Sequence, residues 1–256
     1  MEDERTRSCM PLFPETEKII HEVERLSGRA VHVREDPALQ VLATVKTARD
    51  GAPAHFVRYQ PGSQAVNYLI AYQLGFLVRL FSCDPDRRFQ VVASSEEKNL
   101  AVERLGLQAF EEAFADSLVD SIITQLLTVP VGMRVDRRIR SEFPSLIPEQ
   151  ERSARSQLAL HEKALAPEIR SQFPKALLDA NTTMNAAFAA FWARELGERR
   201  YRLPYSVLGY DSIAYELIDA VDHSPDEPEQ DRELICRWAD ITKLSGLFHF
   251  KIHQLD

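Results

Sequence analysis

Residues 66–81, VNYLIAYQLGFLVRLF, decide the architecture. Asn67, Gln73 and Arg79 alone break an otherwise apolar run, so a helix here has almost no face to give to water and belongs inside the core. The run is too long for a strand, which in globular sheets averages about 5–6 residues. Gly75, near its middle, allows a neighbouring element to pack closely.

On the N-terminal side, Ile19, Ile20, Val23 and Leu26 recur at helical spacing over 15–26, a short amphipathic helix that Pro14 can start. Residues 39–47 are rich in Val, Leu and Thr, and 54–59 form a second candidate strand. The turn residues Arg49, Asp50 and Gly51 between them predict a β-hairpin.

On the C-terminal side, Ser82 to Asp86 break the buried helix, and Ser95, Glu96 and Glu97 suit the start of a helix running towards Leu105. Over 107–127, Leu107, Phe110, Phe114, Leu118 and Ile122 share one face. Glu112, Asp116 and Asp120 recur opposite, and Pro130 is expected to end the helix. The remainder of the chain is helical: a stripe of Met184, Ala187, Phe188, Phe191, Trp192 and Leu196 stopped by Gly197, a loop over 201–210, a helix over 212–221, an acidic linker over 224–231 and a last helix holding Leu234, Cys236, Trp238 and Ile241. The aromatic stripe is expected in the core. The fold class is α+β, predominantly α-helical, with a small antiparallel hairpin ahead of the buried helix.

The formal net charge of −8 sets the overall field against nucleic-acid phosphates, so direct nucleic-acid contact is not expected. The cluster Arg134, Arg137, Arg138 and Arg140 reads as the wet face of a helix. Cys9, Cys83 and Cys236 form no CxxC pair, the pattern of a reducing compartment, and they are expected as packing residues rather than activated thiols. The opening MEDERTRSCM has no apolar signal core, and no stretch reaches the ~18 apolar residues of a membrane span, so a cytoplasmic protein without membrane contact is expected. Phosphate loops, dinucleotide fingerprints and nucleophile elbows are absent, and no cofactor is implied. His249 and His253 stand four apart but lack a third ligand, so no metal is expected there.

An HExxH zinc peptidase needs imidazoles at i and i+4, so that both reach one metal from one helical face, and a Glu between them as base. The order hairpin, buried helix, long helix over roughly residues 15–130 resembles the IrrE/ImmA-type, zincin-like metallopeptidase family, whose motif helix reads close to AHELGH. The corresponding string here is AYQLGF, residues 71–76. The resemblance puts Tyr72 and Phe76 at the two ligand positions and Gln73 at that of the catalytic Glu. A phenol with a pKa near ~10 is a poor zinc ligand at neutral pH, a phenyl ring has no donor atom, and a carboxamide cannot act as general base. The family's third ligand is an acidic residue on a following helix, for which Glu112 and Asp116 are the nearest matches by order.

The resemblance therefore implies a degenerate zincin-like domain over 1–135 with a helical extension over 136–256. It binds no metal, holds no catalytic residue and acts on another protein as a regulatory or scaffolding subunit, in transcriptional control or phage defence. Two alternatives stand beside it. One is an enzyme of another class whose site assembles only in three dimensions, from Glu112, Asp116 or His55 with Tyr72. The other is a helical nucleic-acid-associated adaptor.

Overall fold

The structure, a computed structural model, describes residues 11–49 and 51–253. The charged opening with Cys9, and Asp50 of the expected turn, lie outside the described residues. In chain order the elements are α1 (Pro14–Ser27), β1 (Ala30–Glu35), β2 (Ala43–Lys46), β3 (Ala54–Tyr59), α2 (Val66–Ser82), β4 (Phe89–Val92), α3 (Ser95–Arg104), α4 (Glu112–Glu142), α5 (Ile147–Lys163), α6 (Pro167–Arg170), α7 (Lys175–Glu195), α8 (Leu203–Val207), α9 (Asp211–His223), α10 (Asp231–Thr242) and β5 (His249–Ile252). The fold is mostly helical, as the sequence predicts.

Two compact units interleave along the chain. Among the described residues, the first holds those up to Arg88, Val135–Ser153 and those from Ile252 onward, and the second holds Phe89–Arg134 and Ala154–Lys251. Of these junctions, only the one inside α4 lies near the expected division between residues 135 and 136.

In the first unit, Pro14 stands in the first turn of α1 and Gly28, at φ 67°, closes it by donating its N–H to the Glu24 carbonyl at 2.9 Å. The predicted hairpin forms, with β2 antiparallel to β3. The sheet is nevertheless mixed, because β1 runs parallel to β3 on its other side, giving the order β1-β3-β2. This corrects the expectation of a purely antiparallel sheet. β1 carries little sequence signal, because AVHVRE has only Val31 and Val33 to mark a buried face, and both are only half-buried. α2 packs against α1 and across β2 and β3. A Cβ placed on Gly75 would stand 2.4 Å from Val135 Cγ1, so the absent side chain is what admits the end of α4.

α4 continues through Pro130 to Glu142, correcting the expected stop. Residues 130–136 are all buried, and that burial offsets the roughly 3 kcal/mol a helix-interior proline costs. Its buried face is Ala115, Val119, Ile122, Ile123 and Leu126. Leu107 and Phe110 precede the helix, and Phe114 is 44% exposed, so the expected stripe holds only at Ile122. Ser94, not Ser95, caps α3, accepting from the Glu97 N–H while the Glu97 carboxylate accepts from the Ser94 N–H.

In the second unit, Met184, Ala187, Phe188, Phe191 and Trp192 of α7 are buried, as the spacing requires. Residues 201–210 are helical turns and α8 rather than a loop. Cys83 is buried, but Cys236 is exposed, correcting the expectation that both pack inside. Partial desolvation, with the nearby Asp240 and Glu233 charges, outweighs Arg232 and raises its thiol pKa, the opposite of thiol activation. Among the described residues one helix, α4, is long and apolar enough by composition to cross a membrane, contrary to the sequence expectation. Yet 56% of its most apolar window is buried inside the protein, as in a core helix.

Candidate functional site

The apolar run of α2 lines up a column of rings along one side of the helix. Tyr68, Tyr72 and Phe76 follow one another at i, i+4 and i+8, with centroids 5.8 Å apart for the first pair and 5.2 Å for the second, the latter edge to face. Tyr68 is fully buried, while Tyr72, Gln73 and Phe76 are half-buried.

Beneath the rings lies a polar network. Tyr68 donates its hydroxyl to Asp136 Oδ1 at 2.9 Å, and Gln150 Nε2 donates to the same oxygen and to the Asp136 carbonyl, each at 2.9 Å. Asp136 and Gln150 are both buried. Burial first, then the Asp136 charge, raises the pKa of Tyr68 and of Tyr72 far above the ordinary phenol value. A neutral phenol, a phenyl ring and a carboxamide are a donor set that does not fit zinc.

α2 has no side-chain cap of its own; Glu149 of α5 supplies one, accepting from the Tyr68 N–H at 2.9 Å and from Asn67 Nδ2 at 3.5 Å. A carboxylate at the positive end of a helix is favourable on both hydrogen-bonding and dipole grounds. Asn67 turns its oxygen to α1, accepting from the Phe13 N–H at 2.7 Å and the Thr16 hydroxyl at 3.2 Å.

Gln73 reaches the sheet, donating from Nε2 to the Ala43 carbonyl of β2 at 3.3 Å. The Gln60 N–H donates to the Leu42 carbonyl, which makes 42 and 60, and therefore 44 with 58 and 46 with 56, the hydrogen-bonded pairs of the hairpin. Ala43 and Val45 thus turn their N–H and C=O groups outward, and β3 is the one neighbour of β2 among the described residues. Gln73 takes the first of those outward carbonyls.

Besides Glu149 at its start, the structure brings Asp136 to the ring column of this helix. Glu112 and Asp116 belong to the second unit, on the solvent side of α4, Glu112 exposed and Asp116 half-buried. Asp136 lies beyond Pro130, where the helix is expected to stop; its signal was the arginine-rich segment, which reads as a wet face. That face is not free. Arg134 is 1% exposed and donates to Asp231 at 2.6 Å, Arg138 pairs with Glu22 at 2.7 Å, and Arg140 pairs with Glu151 at 3.3 Å.

His55 of β3 offers no base. The Ala48 N–H donates to its Nδ1 at 3.0 Å, which fixes the proton on Nε2, and Nε2 donates to Ser27 Oγ at 3.0 Å. Burial first, then the Arg29 and His253 charges, lowers its pKa to about 4. Its one lone pair is occupied, and its ring packs on Phe81 at 5.2 Å. At the C-terminus, His249 pairs with Glu97 at 2.8 Å on the surface while His253 is buried. Among the described residues no three His, Cys, Asp or Glu side chains are grouped to hold a metal ion. Comparison with known proteins returned no match to a family model, to a curated protein or to a solved structure.

Proposed function

We propose that the chain is a zincin-like scaffold without its metal site, catalytically inactive, which works in the cytoplasm by holding another protein as a regulatory or scaffolding subunit, in transcriptional control or phage defence. The observation that carries this reading is the bond from Gln73 to the open edge of β2, which keeps α2 beside a strand whose outward groups can pair with an extended segment. Within the reading, Asp136 occupies the place of the acidic ligand on the following helix, in preference to Glu112 and Asp116, because its charge is felt at Tyr72. The partner lies along β2 and pairs with the Val45 amide and carbonyl.

Two experiments test this. Restoring the donors with Tyr72→His, Gln73→Glu and Phe76→His creates a site for one zinc ion that Asp136→Asn removes, measured by metal analysis and calorimetry. Failure of the triple variant to bind zinc argues against the scaffold, and stoichiometric zinc in the native protein overturns the inactive reading. Val45→Pro removes an outward N–H without breaking a hairpin bond, so a partner recovered with the native chain is lost with this variant. Equal recovery refutes edge pairing.

A further inference from the structure

A cavity of about 770 Å³ opens in the second unit, walled by the C-terminal ends of α3 and α10 and by α7 and α9 near their starts. The volume is that of a small-molecule site. Ala176, Asp179, Ala180 and Thr183 of α7 recur at the helical repeat and form one wall. It runs about 10 Å along the axis, from exposed Ala176 to buried Thr183. Leu105, Ile213 and Ile241 add apolar surface.

Thr183 is 4% exposed. The hydroxyls of Thr128 and Thr242 donate to carbonyls of their own helices, each at 2.7 Å, whereas that of Thr183 bonds to no other described residue. Thr183 lines the cavity and its hydroxyl, open to water there, has no protein partner to give up, so it is free to exchange water for a ligand.

The mouth carries charge. Asp179 is already engaged by Lys175 at 2.6 Å and by the Tyr210 hydroxyl at 2.8 Å; burial alone would raise its pKa, but these bonds hold it below the usual value. Arg104 donates only to the Ser245 carbonyl, and neither it nor Lys243 is ion-paired among the described residues, leaving two cations against the one uncommitted carboxylate of Glu216. The uncapped starts of α7 and α9 face the C-terminal ends of α3 and α10, so the helix-end fields oppose one another and the side chains set the charge of the mouth. Lys243 holds φ at 63°, a conformation glycine adopts far more easily.

We infer that this cavity binds a small carboxylic acid bearing a hydroxyl or oxo group. The neutral oxygen meets Thr183 at the deep end, the hydrocarbon lies along Leu105, Ala180, Ile213 and Ile241, and the carboxylate stays at the mouth with Arg104 and Lys243. Calorimetry on the full chain with ω-hydroxyoctanoate, octanoate and octanediol tests both ends. The hydroxy acid is expected to bind at least about tenfold tighter than either comparator, as one hydrogen bond or one ion pair allows. Thr183→Val, of equal shape, removes its advantage over octanoate, and Arg104→Gln together with Lys243→Gly, which suits the positive φ, removes its advantage over octanediol. The absence of either preference in the native chain, or its survival in the matching variant, overturns the inference.

Discussion

Gly75→Ala separates two opposing effects that the structure sets against each other at one atom. In a free helix interior, alanine is better than glycine by about 1 kcal/mol. Here the new methyl would stand 2.4 Å from Val135 Cγ1, well inside the ~3.5–4.0 Å of ordinary carbon contact. Val135 is 3% exposed and β-branched on a helix, so it has one favoured rotamer and nowhere to turn. Overpacking of this kind costs roughly 1–3 kcal/mol, which leaves a net loss of about 1 kcal/mol. Val135→Ala removes both methyls that meet the new atom. In that background Gly75→Ala should stabilise by about 1 kcal/mol, so the coupling between the two sites is about 2 kcal/mol. Urea unfolding followed by far-ultraviolet circular dichroism measures all four proteins. Trp192 and Trp238 both lie in the second unit, so their fluorescence records that unit separately. A stabilising Gly75→Ala in the native background, or the same loss in both backgrounds, refutes the close approach of α2 and Val135.

Three further outcomes concern the same unit. His55 titrates at 6.5 when unfolded and at about 4 when folded; the unfolded state therefore takes up the proton first. Its contribution, on the order of 2 kcal/mol, is complete above pH 6.5 and lost as pH falls towards 4, so urea midpoints should fall over that window. His55→Gln should flatten part of the slope, His161, also lowered to about 4 by burial, carrying another part. Tyr68→Phe takes a donor from buried Asp136 and should lower stability by roughly 1–3 kcal/mol in the same unfolding assay, with no loss if the bond is absent. Glu149→Gln keeps the shape of the α2 cap but removes its charge, and should lower stability by about 0.5–1 kcal/mol; an unchanged midpoint would argue against the cap.

The sequence was informative where burial is monotonous. VNYLIAYQLGFLVRLF reads as a core helix, and the aromatic stripe of α7 and the hairpin over 39–59 are legible too, although its first strand is confined to Ala43–Lys46. It misled where tertiary contact overrides a local rule. Pro130 is a stop signal in an isolated helix, yet residues 130–136 are enclosed and the helix passes through it. Ending α4 there hid Asp136, and with it the network under Tyr68. The β1 strand was hidden by half-exposed residues whose pairing partner, β3, lies downstream in the chain. Arg134 sits in a segment that looks like a charged surface, but its guanidinium is enclosed by Asp231, Ser224 and Pro225. Nothing local announces that a charge will be buried when its partners lie about a hundred residues on.

Glu149 stands 81 residues beyond the amide it caps, and Gln150 completes the network 82 residues beyond Tyr68. During synthesis, α1, the sheet and α2 emerge long before these groups exist. Until α5 has left the ribosome, the start of α2 has an unsatisfied end, and Asp136 has no Gln150 to meet it. The nascent chain therefore waits with the first turn of α2 uncapped, and a fragment cut at residue 135 lacks Asp136, Glu149 and Gln150 altogether.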